Sequence, residues 1–291
     1  MYSRFKALER YDLDALRDSK AVIVGLGATG SVISEHLARH GVELVLIDRD
    51  YLEMNDLYSS NLYTKKQCKN AMPKAKAAEK HLSELTNVES HVTDLRKENI
   101  ELLEADIVID GTDNIETRLI IENFSKQKNI PWIYTAALGE RGYSMFIRNQ
   151  CFKCLFDQLN PKKSCEKNGV MREISSITAS KSALKAVKFL SGLEVEEKLE
   201  ILPEMDSFEF GSCECSDFEA EASQVCGDNK YQVTGSKDPK DFSGDILAQN
   251  DYLKRISFDG SKITIFNSGR AIIEASSLEE AEQLYKEASS I

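Results

Sequence analysis

The chain has 291 residues, 42% hydrophobic and 29% charged, and carries a formal net charge of −11. That length and balance fit one large α/β domain with a small appendage, and the acidic excess excludes a surface built on clustered Lys and Arg to neutralise nucleic-acid phosphates. Met1-Tyr2-Ser3-Arg4 opens no apolar stretch of signal length, and no run of about 18 apolar residues occurs, so neither export nor a membrane span is expected and the chain is placed in the cytoplasm.

In chain order, Arg4 to Arg17 reads as a short helical lead-in. Ala21-Val22-Ile23-Val24 is a fully apolar strand, followed at once by Gly25-Leu26-Gly27-Ala28-Thr29-Gly30 and a helical stretch from Ser31 to Arg39. Leu44-Val45-Leu46-Ile47 is a second buried strand, ending at Asp48. Strand, glycine loop, helix, strand, acid is the order of a βαβ unit. A helix is expected over 74–85, a short strand near 89–92, a third apolar strand over 106–110 and a helix over 117–128. Pro131 opens another strand, and 173–190 is an amphipathic helix closed by Gly192.

Gly192 to Tyr231 reads as acidic and irregular. The tail reads as a separate unit: a strand over 262–266, the turn Asn267-Ser268-Gly269, a returning strand over 270–273, and a last helix whose capping box is Ser277 with Glu280. The fold expected is therefore a Rossmann-like, doubly wound, mainly parallel sheet with a small C-terminal α+β appendage, divided into 1–230 and 231–291.

Gly25, Gly27 and Gly30 lie where backbone N–H groups and a helix dipole favour a phosphate, and Asp48 ends the next strand, where an acid can take ribose hydroxyls. The same loop serves NAD and ATP sites alike, and a glycine loop can also exist for helix packing alone. The continuation is not that of a dehydrogenase: Asp48-Arg49-Asp50 leads on to Pro73-Lys74-Ala75, which puts a lysine at a helix start. A compact cation there can neutralise phosphate charge; its bland counterpart is a solvated helix lysine.

With these motifs and Asp110-Gly111-Thr112-Asp113-Asn114, Thr117-Arg118, Cys151-x-x-Cys154, Cys165 ahead of Gly169-Val170, and Phe266 to Ile273, the chain resembles the ubiquitin-activating-enzyme superfamily in its ThiF/MoeB/HesA form over nearly its whole length. The resemblance implies an enzyme that uses ATP and Mg2+ to adenylate the C-terminal glycine of a small ubiquitin-fold or sulfur-carrier protein with a diglycine tail. It implies that Asp48 holds the ribose with Asp50 close by, that Lys74 contacts the phosphates, and that Asp113, beside Asn114, sits by the magnesium and the α-phosphate. It also implies a homodimer, because Arg4 corresponds to the arginine that reaches the γ-phosphate of the other subunit.

The pattern breaks once in the nucleotide half. The family's Asn-Leu-x-Arg-Gln is here Asp56-Leu57-Tyr58-Ser59-Ser60. Losing a fixed cation near three phosphates should weaken ATP binding or slow adenylation. Asn55 or Asn61 are candidates for the missing amide, and Arg49, Lys65 or Lys66 for the missing charge.

Seven cysteines, unevenly placed, point to metal or thiol chemistry rather than a disulfide framework. Cys151 and Cys154 form a knuckle for Zn2+, although C-x-x-C is also a redox pair or two buried thiols. The resemblance supplies a second pair beyond the long helix, where Ser223 replaces one thiol and Cys226 keeps the other; Cys215, or Cys213, then stands as fourth ligand. Cys165, near Lys162 and Lys163, is a loop thiol or, by the resemblance, the acceptor of the activated carboxyl or of a sulfur. Cys68, among Lys65, Lys66 and Lys69, is expected to be exposed.

Two other classes stay open. One is a binding module of the same fold that has lost its chemistry. The other is an NAD-dependent oxidoreductase, which needs an acid or base such as histidine; no histidine follows His91.

Overall fold

A computed structural model describes residues 5, 8–60, 62–159, 169–203, 206–209, 229–233, 238–267 and 270–289. The chain separates into two compact units, Met1–Ala220 and Glu221–Ile291.

The strands of the first unit are β1 Lys20–Val24, β2 Glu43–Ile47, β3 Val88–His91, β4 Ile107–Asp110, β5 Trp132–Leu138, β6 Arg141–Ile147, β7 Lys198–Leu202 and β8 Asp206–Glu209. They pair in the order β3-β2-β1-β4-β5-β6-β7-β8. The pairings from β3 to β5 are parallel, and those from β5 to β8 are antiparallel. Its helices are α1 Leu13–Arg17, α2 Gly30–His40, α3 Asp56–Ser59, α4 Lys65–Lys69, α5 Lys74–Leu82, α6 Ile115–Lys128, α7 Phe152–Leu159 and α8 Arg172–Leu190.

The apolar runs of β1, β2 and β4 follow from cover on both faces of the sheet. Successive side chains alternate, so Ala21, Ile23, Leu44, Leu46, Ile107 and Ile109 enter one core with Ile33, Leu37, Ala78 and Ala183. Val22, Val24, Val45, Ile47 and Val108 enter a second core with Ile121, Phe124, Trp132 and Phe152. Ile23 is fully buried; cutting it to alanine costs about 2–5 kcal/mol.

One polar seam crosses the packing of α8 on the sheet. Thr135 Oγ1 donates to Ser182 Oγ at 2.9 Å, and Ser182 Oγ lies 2.8 Å from Ser144 Oγ. Lys185 Nζ then donates to the Ser144 carbonyl at 2.7 Å and pairs with Glu200 at 2.9 Å. Burial pushes the Lys185 ammonium down to about 8, against the pull of Glu200.

Local chemistry explains where the elements depart from expectation. Asp12 accepts from the amides of Asp14 and Ala15 at 3.0 and 2.9 Å and so starts a helix at Leu13, inside the stretch expected to be helical, in which Phe5 is helical too and Arg4 lies outside the described residues. The helix from Lys74 stops at Leu82, where Ser83 Oγ donates to the Glu79 carbonyl at 2.7 Å. The stretch expected to be irregular after Gly192 holds β7 and β8.

In the second unit, β9 Lys230–Val233, β10 Asp245–Gln249, β11 Leu253–Phe258, β12 Ser261–Phe266 and β13 Ala271–Glu274 form an antiparallel sheet in the order β10-β11-β12-β13-β9. Helix α9, Leu278–Ala288, covers it, with Ala281, Leu284 and Tyr285 against Ile256, Ile263, Ile265 and Ile273. The expected strand-turn-strand is thus the pair β12–β13 inside a larger sheet. Ser277 caps α9 by accepting from the Glu280 amide at 3.2 Å, but the Glu280 carboxylate bonds Ser276 and leaves the capping box half made. Among the described residues no helix is long and apolar enough to cross a membrane.

Candidate functional site

Neighbouring strands β1 and β4 hand the chain to opposite halves of the sheet, β1 to β2 and β4 to β5. Such a switch point leaves a crevice beyond the carboxyl ends of the two strands. Both exits are glycine. Gly25 has φ +84, and a Cβ there would lie 2.8 Å from the Gly111 carbonyl oxygen. A Cβ on Gly111 would meet the Gly25 oxygen at 2.7 Å, and one on Gly30 would meet it at 1.8 Å. The Gly111 amide donates to Val24 and the Gly25 amide to Ile47, each at 2.8 Å. Gly25, Gly30 and Gly111 are therefore needed for packing.

Gly27 is different: a Cβ there would meet nothing within 4 Å. The amides of Gly27, Ala28, Thr29 and Gly30 have no partner among the described residues. They cluster at the N-terminus of α2, an 11-residue helix whose dipole adds positive potential. This is an anion seat in its elementary form.

Asp48 anchors the rim. Its Oδ2 accepts from the Leu26 amide at 2.6 Å and its Oδ1 from the Asp50 amide at 2.7 Å. Each carboxylate oxygen keeps a second lone pair, enough to accept a ribose hydroxyl. Burial first, and the charge of Asp50 second, push Asp48 up to about 6, against Lys74 and the two amides.

Lys74 opens α5 and pairs with Asp56 of α3 at 3.1 Å. Burial would drive off its proton, but Asp50, Asp48 and Asp56 together hold it well above the usual lysine range. Tyr63 ties this half to the glycine loop, because its hydroxyl donates to the Leu26 carbonyl at 2.6 Å. Arg49 pairs with Asp94 at 3.1 Å, and Asp50 and Asp113 also act on its charge.

On the β4 side, Asp110 is fully buried. Its Oδ1 takes the Thr112 amide at 2.9 Å, and its Oδ2 takes Arg118 Nε at 2.9 Å. The Arg118 guanidinium also donates to the Thr112 carbonyl and lies 4.9 Å from the Tyr134 ring centre. These bonds fix the turn that presents Asp113, which is exposed and accepts no hydrogen bond among the described residues. A carboxylate left open at such a rim fits a magnesium ion with its waters. Asn114, named with the nucleotide residues, caps α6 by accepting from the Thr117 amide at 2.8 Å.

The crevice thus gathers Gly25, Gly27, Gly30, Asp48, Asp50 and Lys74, with Asp113 on the exit from β4. Arg4, Cys165, Cys215, Cys226 and Asn61 lie outside the described residues. Cys151 is buried just before α7, and its sulfur accepts from the Cys154 amide at 3.4 Å. No group of three metal-ligating side chains occurs among the described residues, and Cys151 with Cys154 is two thiols short of the four ligands that a closed zinc site needs. Cys68 is 6% exposed rather than on the surface, because α4 turns its lysines outward and the thiol inward. Lys65 and Lys66 stay exposed on that outer face. A groove of about 500 Å³ lined by Asp12, Asp106, Arg148 and Phe189 sits at the opposite edge, where β1 and β4 begin.

Sequence reasoning gave Tyr63 and Arg118 no role and placed no partner on Lys74. An arginine eight residues after an aspartate that ends an apolar strand was the signal available for Arg118; Tyr63, between Leu62 and Thr64, carried none.

The ThiF family model matches residues 2–227. "Sulfur carrier protein ThiS adenylyltransferase" of Bacillus subtilis is 31% identical, over 93% of this chain and 92% of its own length. The Escherichia coli protein of the same name is 32% identical, over 66% of this chain and 82% of its own. The crystal structure of E. coli MccB with SeMet MccA shares the fold, with a TM-score of 0.61 at 20% identity over 70% of this chain and 67% of that one. Matched through the whole glycine-loop unit, and aligned nearly end to end with one of these relatives, the chain belongs to the ThiF family.

Proposed function

We propose that this chain adenylates the C-terminal glycine of a small ubiquitin-fold carrier, of the sulfur-carrier class, and releases pyrophosphate. The observation that carries the reading is the run of unpartnered amides from Gly27 to Gly30, on a loop tied through Leu26 to both Asp48 and Tyr63. The names of these two relatives support the choice of acceptor.

A carboxylate oxygen of the terminal glycine attacks the α-phosphorus of ATP. The bond from that phosphorus to the bridging oxygen breaks, and pyrophosphate leaves. The α2 amides meet phosphate oxygens, Asp48 takes the ribose, and Lys74 offsets charge moving toward the leaving group. Asp110 and Arg118 keep the Thr112 turn from shifting, so Asp113 stays at the rim. Magnesium, when bound beside Asp113, supplies charge neutralisation of the phosphates. A diglycine tail suits a narrow approach, having no side chains to exclude.

The proposal extends to a homodimer in which Arg4 of one copy serves the other's nucleotide, to Cys165 as a later thiol acceptor, and to a structural Zn2+ on Cys151, Cys154, Cys226 and Cys215. The zinc is supported by the shared placement of Cys151 and Cys154; a metal content far below one zinc per chain removes it.

ATP–pyrophosphate exchange with diglycine-ended carriers tests the whole. Exchange that depends on a carrier, and that is lost in Asp113→Ala, is expected. A second reading, a docking module without chemistry, is favoured by the engagement of Lys74 with Asp56; tight carrier binding with no exchange selects it.

A further inference from the structure

Two of the departures from the family pattern, Asp56 and Ser59, sit on one short helix beside the phosphate lysine. Lys74 Nζ lies 3.1 Å from Asp56 Oδ1, with the side chains 15% and 14% exposed. Asp56 Oδ2 accepts from the Glu53 amide at 2.7 Å, so the carboxylate is held from its other side as well. Asp48 and Asp50 act on the same ammonium. Ser59 brings no charge, and its hydroxyl turns back to the Asp56 carbonyl at 3.4 Å. Arg49, the next cation in the crevice, is bound to Asp94.

One compact cation therefore answers three carboxylates where screening by water is reduced. An arriving triphosphate meets a lysine already neutralised at contact distance, in a pocket whose own balance is negative. Resting on the nucleotide-site reading above, we propose that Asp56 is a positioning residue that fixes Lys74 and masks its charge, so that the pocket grips the triphosphate weakly and lets pyrophosphate leave readily. Affinity then depends steeply on magnesium, because the metal must bring the positive charge that the protein withholds.

The contrast with an ordinary structural ion pair is testable. A structural pair, once broken, loosens the site and weakens every ligand. A masking pair, once its acid is neutralised, frees the lysine and strengthens ligands that carry phosphates while leaving others alone.

Calorimetric titration with magnesium-ATP, magnesium-pyrophosphate and adenosine is run on wild type, Asp56→Asn, Asp56→Ala and Asp56→Glu, each shown to be folded by thermal melting. The two neutral variants guard against one of them failing to fold. Both are expected to bind ATP and pyrophosphate about tenfold tighter, from one unit charge removed beside the phosphates. Adenosine stays within about twofold, and Asp56→Glu stays near wild type, because charge rather than shape is being tested. In exchange assays KM for ATP falls and turnover falls with it, as pyrophosphate leaves more slowly.

Equal or weaker phosphate binding in the neutral variants overturns the inference while leaving the nucleotide site in place. Absence of ATP binding in wild type at millimolar nucleotide and magnesium overturns the nucleotide site itself, and this inference with it.

Discussion

Gly30 rests against the carbonyl oxygen of Gly25 so closely that a single added methyl would fall 1.8 Å from it. Gly30→Ala must therefore push the glycine loop off β1 or unseat α2, and a loss of about 2–4 kcal/mol, or failure to fold, is expected in denaturant melts. Gly27→Ala faces open space and should melt within about 1 kcal/mol of wild type. It should nonetheless weaken ATP binding at least several-fold, since the new methyl enters the volume a phosphate needs. Normal ATP affinity in Gly27→Ala would place the phosphates elsewhere.

Arg118 and Asp110 form a pair with side chains 8% and 0% exposed. Arg118→Ala leaves a buried carboxylate with no cation and should cost about 3–5 kcal/mol. Asp110→Asn combined with Arg118→Met should recover part of that loss, because the two positions couple. Additive losses in the double variant would show that the pair is not the unit holding the Thr112 turn.

Asp48 titrates in an accessible window. Its carboxyl is raised to about 6 by burial and by Asp50, whereas an unfolded aspartate titrates near 4. The folded chain holds that proton more tightly, so this group's contribution to stability falls as pH rises from about 4 to about 6. The proposed ribose recognition runs the other way, because only the ionised carboxylate would accept from both hydroxyls. Adenosine, which carries no phosphate to confuse the titration, should bind about tenfold more tightly at pH 7 than at pH 5. Asp48→Asn should flatten that profile, and a slope that persists would belong to another group.

Lys185 gives the opposite sign. Its folded value of about 8 lies below the roughly 10.4 of an unfolded lysine. Between those limits the unfolded chain binds more protons, so stability rises with pH, by on the order of 3 kcal/mol in total, and the gain is lost as pH falls through about 8. Chemical denaturation of wild type and Lys185→Met across pH 7 to 10 checks this. The variant should lack the rise, and parallel curves would remove Lys185 as its source.

The central fold was legible because β1, β2 and β4 are buried on both faces and so had to be continuously apolar. The antiparallel half was not. β6 and β7 mix buried and partly exposed positions, and the polar members of the seam on α8, Ser182 and Lys185, read as surface until Ser144 and Glu200 are placed beside them. At the site, Gly25, Gly27 and Gly30 looked alike in sequence, and only close approach separates the two that pack from the one that faces space. Lys74 was readable from its place at a helix start. Its bond to Asp56 was not, since seventeen positions of intervening loop and helix decide whether the two meet.

The Tyr63 hydroxyl on the Leu26 carbonyl has a consequence for how the site can fail. The strap from β2 to α5 carries Asp48, Asp56 and Lys74, and the Tyr63 phenol joins Asp48 in fastening it to Leu26, on the turn proposed to seat the phosphates. On the proposed reading, ribose recognition and phosphate recognition are thereby fastened to the same residue, Leu26. A slip at Leu26 would then be expected to disturb both together rather than one alone.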